Sequence, residues 1–205
     1  MNNSTPTALI ILIMGIFTGC EATPYTVETC TAEQGVSLPD DAPYLGDREA
    51  PVWVSLFGDV KCPYTARMTL SLAAFIESLE GTKQEGAVRV SFYHFPILNS
   101  EELARTAEAA HLDGNQSFWD MYWCLVTATG GDSDRVSYCA EWLELDEDEL
   151  RAAASSDAVR RRIYRDEAAA RRIGFGGAPG MLLCGYWMPP DPGRVIDNLE
   201  ELIAE

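Results

Sequence analysis

The stretch FGDVKCPYTARM, Phe57 to Met68, sets a cysteine between the end of a strand-like run and a proline at the mouth of a helix-like one. Upstream, residues 51 to 57 read PVWVSLF, with β-branched and aromatic residues at the spacing of a strand. Downstream, Met68, Leu72, Phe75, Ile76 and Leu79 form one helical stripe from Pro63 to about Leu79, and EGT ends it. A second strand follows in AVRVSFYHF. Strand, helix and strand within this length predict a right-handed βαβ unit, with parallel strands whose carboxyl ends share one edge. Cys62 then occupies the cap position of the helix. Unpaired backbone N–H groups and the positive end of the helix dipole face it, which favours thiolate over thiol, and Lys61 adds to the effect. A thiolate there is placed to attack a disulfide or another electrophilic sulfur.

From Asn99 onward the pattern turns helical. Asn99 reads as a cap with Glu102 three residues on, and SFWDMYWCLV and RVSYCAEWLEL continue as short helices about Gly130. SSDAVRRRIYRDEAAARRIG is a longer helix closed by Gly174. GMLLCGYW is strand-like after Pro179, and a last helix is capped by Asp191, opened by Pro192 and anchored by Val195, Ile196, Leu199 and Ile203. A chain of 205 residues holds one well-buried domain plus an insertion.

With 15 Lys plus Arg against 32 Asp plus Glu, the formal charge of −17 repels nucleic acid over most of the surface, and that class of partner is set aside. Six arginines fall between Arg160 and Arg172, which reads as an exposed helix face balanced by acidic neighbours. At the N-terminus ALIILIMGIF is a ten-residue apolar run, about 15 Å as a helix and too short to span a bilayer, so it reads as an export signal. The run followed by Phe17-Thr18-Gly19-Cys20 resembles a bacterial lipoprotein lipobox. That resemblance implies a signal peptide over 1–19, lipidation of Cys20, a tether over 20–46 and a cell-envelope location facing the periplasm; a plainly secreted protein is the alternative. Either compartment is oxidising, so disulfides persist.

Setting Cys20 aside leaves five cysteines, an odd number. Cys124 and Cys139 flank Gly130 and Gly131, and a helical hairpin turning there brings them to the same height, as a bridge or as two buried thiols. Cys184 lies five residues past Pro179, about 17 Å along a strand. That is too far to resolve a bond at Cys62, so Cys184 reads as apolar filler. Cys30 reaches Cys62 only if the tether folds back.

YLGDREAPVWVSLFGDVKCPY, YHFPIL, EAAHLDGNQSFWDMYWCLV and DEAAARRIGFGGAPGMLLCG, in that order, resemble the DsbA-like branch of the thioredoxin superfamily over residues 44 to 204. The resemblance implies an α/β, thioredoxin-like fold over 47–204 with a helical domain inserted at about 97–155. It implies Cys62 as the nucleophilic cysteine, Pro179 as a cis-proline facing it, and Pro63, Tyr64 and Ala178 as residues that meet substrate. Two positions depart from the family. Its second cysteine is Thr65 here, and the residue before the proline, usually threonine or valine, is Ala178. Without a second thiol the two-cysteine cycle is closed at this motif, although the Thr65 hydroxyl can donate a hydrogen bond to the sulfur.

His94 ends the second strand at the shared edge, either supporting the thiolate or as a structural histidine; His111 is assigned nothing. Asp59 caps the turn or accepts a proton. Trp119, Trp123 and Trp142 are expected in helix cores. Two histidines and no Cys-x-x-Cys pair give no metal site and no cofactor. The leading reading is a monothiol thiol-disulfide oxidoreductase whose mixed disulfides, with protein or small-molecule thiols, an external thiol resolves. The other is a thioredoxin-fold binding or chaperone-like lipoprotein that has lost turnover.

Overall fold

The structure, a computed structural model, describes Cys30, Val36 and residues 38–204. The export segment 1–19 and Cys20 lie outside the described residues. Five strands form one mixed sheet: β1 (Tyr44–Gly46), β2 (Val52–Gly58), β3 (Val88–His94), β4 (Gly180–Leu183) and β5 (Tyr186–Trp187), in the order β1-β3-β2-β4-β5. Helix α1 (Pro63–Ser78) connects β2 to β3. Helices α2 (Glu101–His111), α3 (Asn115–Thr127), α4 (Asp132–Trp142), α5 (Glu147–Ala154) and α6 (Asp157–Ile173) lie between β3 and β4, and α7 (Pro192–Ile203) closes the fold.

The period-2 pattern of the strands builds two cores. Val52, Val54 and Leu56 of β2, Val88, Val90 and Phe92 of β3, and Met181 and Leu183 of β4 face one side, against Met68 and Leu72 of α1 and Val195, Leu199 and Leu202 of α7. Phe57, Tyr93 and Leu182 face the other, against Ala169, Ala170 and Phe175. With both faces covered, the strands read as almost continuous apolar runs. As expected, β2 and β3 are parallel, from Val52↔Val88 to Gly58↔His94, while β4 joins β2 antiparallel with Phe57 opposite Gly180. Helix ends follow local chemistry: Ser156 and Asp191 accept from the backbone N–H three residues on, and Gly174 stops α6 with φ 97°.

Several expectations need correction. The tether over 20–46 ends early: Tyr44–Gly46 is an edge strand antiparallel to β3, Ala42 is buried, and the Tyr93 hydroxyl donates to the Pro39 carbonyl at 3.0 Å. Ser100 rather than Asn99 caps α2. Trp119 is buried and Trp123 half-buried, but Trp142 is 68% exposed. GMLLCGYW is a hairpin rather than one strand. Cys184 and Gly185 form its two-residue turn, with φ 49° and 82°, the left-handed pair a tight β-hairpin requires. Cys184 is not a filler: it is disulfide-bonded to Cys30, with Cα atoms 4.6 Å apart. The Trp53 indole donates to the Cys30 carbonyl at 3.3 Å, fixing the segment to the sheet. Cys124 and Cys139 are bridged, joining α3 to α4.

The Cys30–Cys184 bond closes a loop spanning 154 residues of separation. Replacing both cysteines by serine is expected to lower stability by about 2–4 kcal/mol, read as a lower urea midpoint; an unchanged midpoint contradicts a structural role.

Candidate active site

Strand β2 ends at Gly58, where crowding leaves room only for glycine. A side chain on Gly58 would place its Cβ 2.5 Å from the Thr65 methyl and 2.6 Å from the Phe92 ring. The turn that follows is held by buried Asp59. One carboxylate oxygen accepts from the Lys61 N–H at 2.7 Å, and the other from the N–H groups of Ile97 and Leu98, both at 2.8 Å. Asp59 thus caps the turn and also ties it to the loop after β3, more than the sequence suggested. The Cys62 N–H donates to the Asp59 carbonyl at 3.0 Å, Cys62 is the N-cap of α1, and Pro63 is its first residue.

Cys62 is 5% exposed and is the free cysteine among the described residues. Its thiol donates to the carbonyl of Ala178 at 3.3 Å, across 116 residues of sequence, and the Ala178–Pro179 peptide is cis. Tyr64, 71% exposed, and Ala178 and Pro179 line a groove of about 460 Å³ that continues over Gly176 to Met181, Trp187 and Met188. Cys62, Pro63, Tyr64, Ala178 and Pro179 are therefore brought together.

Three expected helpers are directed elsewhere. The Thr65 hydroxyl is fully buried and accepts from the Asp59 N–H at 3.3 Å; it makes no bond to the sulfur among the described residues. Its carbonyl accepts from the Thr69 hydroxyl at 2.8 Å, which lies 3.1 Å from the Tyr122 hydroxyl. Burial pushes the Tyr122 hydroxyl above its ordinary value and the nearby charges of Cys62 and Asp59 add to this, so it stays a neutral donor. The Lys61 ammonium pairs with Asp132 at 3.0 Å and donates to the Asn99 carbonyl at 3.3 Å. It joins the turn to the inserted helices.

His94 belongs to a buried charge cluster, and its partner is not the thiol. Its Nε2 lies 3.2 Å from Glu108, its backbone N–H donates to Asp166 at 3.2 Å, and Nδ1 has no hydrogen-bond partner among the described residues. Glu108 also meets Arg162 at 2.7 Å and His111 at 3.4 Å. Arg162 and Arg165 reach on to Asp41, each at 2.9 Å, and Arg165 to Asp166 at 3.1 Å. Burial opposes ionisation of Glu108, but hydrogen bonds from His111 and His94 and the Arg162 charge outweigh it and hold the carboxyl down at about 2. The cluster joins the end of β3, α2, α6 and the segment before β1. Sequence reasoning missed Glu108, though it left a trace there: an acid amid the buried alanines of AEAAH, three residues before a histidine.

A thioredoxin family model matches residues 39–191. Among curated proteins, the Probable disulfide bond formation protein D of Bacillus anthracis is 26% identical over 169 residues, covering 78% of this chain and 75% of that protein. The Na(+)/H(+) antiporter NhaA 1 of Salinispora arenicola is 30% identical over 151 residues, covering 72% of this chain, which thereby spans 22% of the antiporter. Among solved structures, a thioredoxin-like oxidoreductase from Silicibacter pomeroyi superposes with a TM-score of 0.69 at 25% identity, covering 80% of this chain and 94% of that one.

Glu108 is held ionised when folded, so it contributes stability above the carboxyl's unfolded value of 4.5 that is lost as pH falls toward 2. Glu108→Gln is expected to cost about 3 kcal/mol at neutral pH and to flatten the fall in stability between pH 5 and 2 in circular-dichroism melts. An equally steep fall in the variant contradicts this assignment.

Proposed function

The chain belongs to the thioredoxin family, and on that premise we propose that it is a thiol-disulfide oxidoreductase of DsbA type working through one thiol, that of Cys62. The observation that carries this reading is the Cys62 thiol set against the Ala178 carbonyl at the cis-Pro179 loop, with Thr65 where a second thiol would stand. The other described cysteines are paired, Cys30 with Cys184 and Cys124 with Cys139, so among the described residues Cys62 has no free thiol partner.

The cycle has two exchanges. The Cys62 thiolate attacks one sulfur of a substrate disulfide; a Cys62–substrate disulfide forms, the substrate S–S bond breaks, and the other substrate sulfur leaves as a thiolate. An external thiolate then attacks the bound substrate's sulfur and releases Cys62, so that the second thiol takes the place of the first and Cys62 is unchanged. Tyr64 and the 176–181 groove hold the substrate chain beside the sulfur, with Pro179 at the meeting point. Substrates are protein or low-molecular-weight disulfides. The location is the cell envelope, with Cys20 as the lipid-bearing residue; among the described residues no helix is long and apolar enough to cross a membrane. Thiolate support comes from the α1 N-terminus, with Lys61 and Thr65 holding the turn.

Two variants test the reading. Cys62→Ser is expected to abolish covalent partner capture from an oxidised extract. Thr65→Cys is expected to form a reversible disulfide between Cys62 and the introduced thiol and to release captured partners without added thiol. Capture that survives Cys62→Ser would favour the binding protein without turnover, and a Thr65→Cys protein that forms no such bond under oxidising conditions would refute the helix start described above.

A further inference from the structure

We infer that the cleft between α3 and α4 is a docking site for an arginine side chain of a partner polypeptide, separate from Cys62. Asp120, Trp123 and Cys124 stand on one face of α3 at helical spacing, and Tyr138 and Trp142 on the facing side of α4, around a cleft of about 370 Å³. Trp142 and Tyr138 are 68% and 53% exposed, an apolar surface that the described residues leave uncovered. Trp123 is fixed by its ring contacts, 5.9 Å from Trp119 and 5.1 Å from Tyr122. The Cys124–Cys139 disulfide ties the two helices together next to Trp123 and Tyr138, so the two walls of the cleft are joined covalently.

Charge decides the occupant. Three aromatic side chains line the cleft, a residue type whose π-face attracts a cation, and Asp120 supplies a carboxylate whose Oδ1 is held by the Gln116 amide at 2.8 Å. The formal charge of −17 adds a favourable field for any cationic partner. A guanidinium fits better than an ammonium: it is planar and weakly hydrated, stacks on an indole or phenol ring, and pairs with a carboxylate through a fork of N–H groups. Trp and Tyr on one side with Arg on the other is also the residue mix that dominates protein–protein contact energies.

The test uses the intact protein under non-reducing conditions, titrated with the blocked tripeptide Gly-Arg-Gly while the tryptophan indole N–H resonances are followed by NMR. The Trp142 and Trp123 signals are expected to shift saturably, the Gly-citrulline-Gly peptide to leave them unmoved, and Trp142→Ala and Asp120→Asn each to weaken binding at least threefold. Cys62→Ser is expected to bind as the parent does, which separates this site from the thiol chemistry. Equal binding of the citrulline peptide, tighter binding of tetramethylammonium than of the arginine peptide, or undiminished binding by both cleft variants would overturn the assignment. Trp142 is exposed, so its removal leaves the fold in place for the measurement.

Discussion

Strand β2 is hydrogen-bonded on both flanks, and the position of everything chemical in this protein follows from that constraint. Its parallel partner β3 sets Gly58 beside His94, and its antiparallel partner β4 sets Phe57 beside Gly180. The chain leaving β2 and the chain entering β4 therefore meet at one edge, four residues past Gly58 and two before Gly180. That is why the Cys62 thiol lies 3.3 Å from the Ala178 carbonyl although the two are far apart in sequence. Asp59 completes the arrangement: by accepting from three backbone N–H groups, one in its own turn and two in the loop after β3, it fixes where α1 begins.

Where the sequence was informative, the information was local. The alternation in PVWVSLF and AVRVSFYHF, the stripe from Met68 to Phe75, Pro63 at the helix start and Gly174 at a helix end each follow from the chain's immediate neighbours, and these elements stand where such signals place them. The cap position of Cys62 follows from the same signals. What stayed hidden depended on long-range partners. Cys184 read as extended filler because a Cys-Gly pair is a weak hairpin signal, and its bond to Cys30 requires that turn as well as the docking of a distant segment. From the sequence alone, the Lys61 ammonium and the Thr65 hydroxyl point to the sulfur as their nearest polar neighbour. They are taken instead by Asp132 and the Asp59 N–H, which no spacing rule could have supplied.

Arginine-rich α6 carries a similar lesson. Part of it is the solvated face that its composition suggests, with Arg160 on Asp157 and Arg171 on Glu167, pairs of small energetic weight. Arg162 and Arg165 differ, because they reach buried Glu108 and Asp166 as well as exposed Asp41, and so offset two buried acids at the junction of sheet and inserted helices. His94 is held in that network, so the edge shared by β2 and β3 divides its labour: the turn after β2 carries the thiol, and the end of β3 carries the ionic joint that holds the helical block against the sheet.

A one-thiol centre has a stoichiometric signature. The most direct measurement is an intact-mass time course of the unaltered protein with a model peptide disulfide, without other thiol and with the site of modification mapped. The account predicts one peptide adduct per chain, on Cys62, that persists until an external thiol is added and then disappears with recovery of the free Cys62 thiol. Spontaneous loss of the adduct with a new disulfide at Cys62, or adducts at other cysteines in its place, would contradict it.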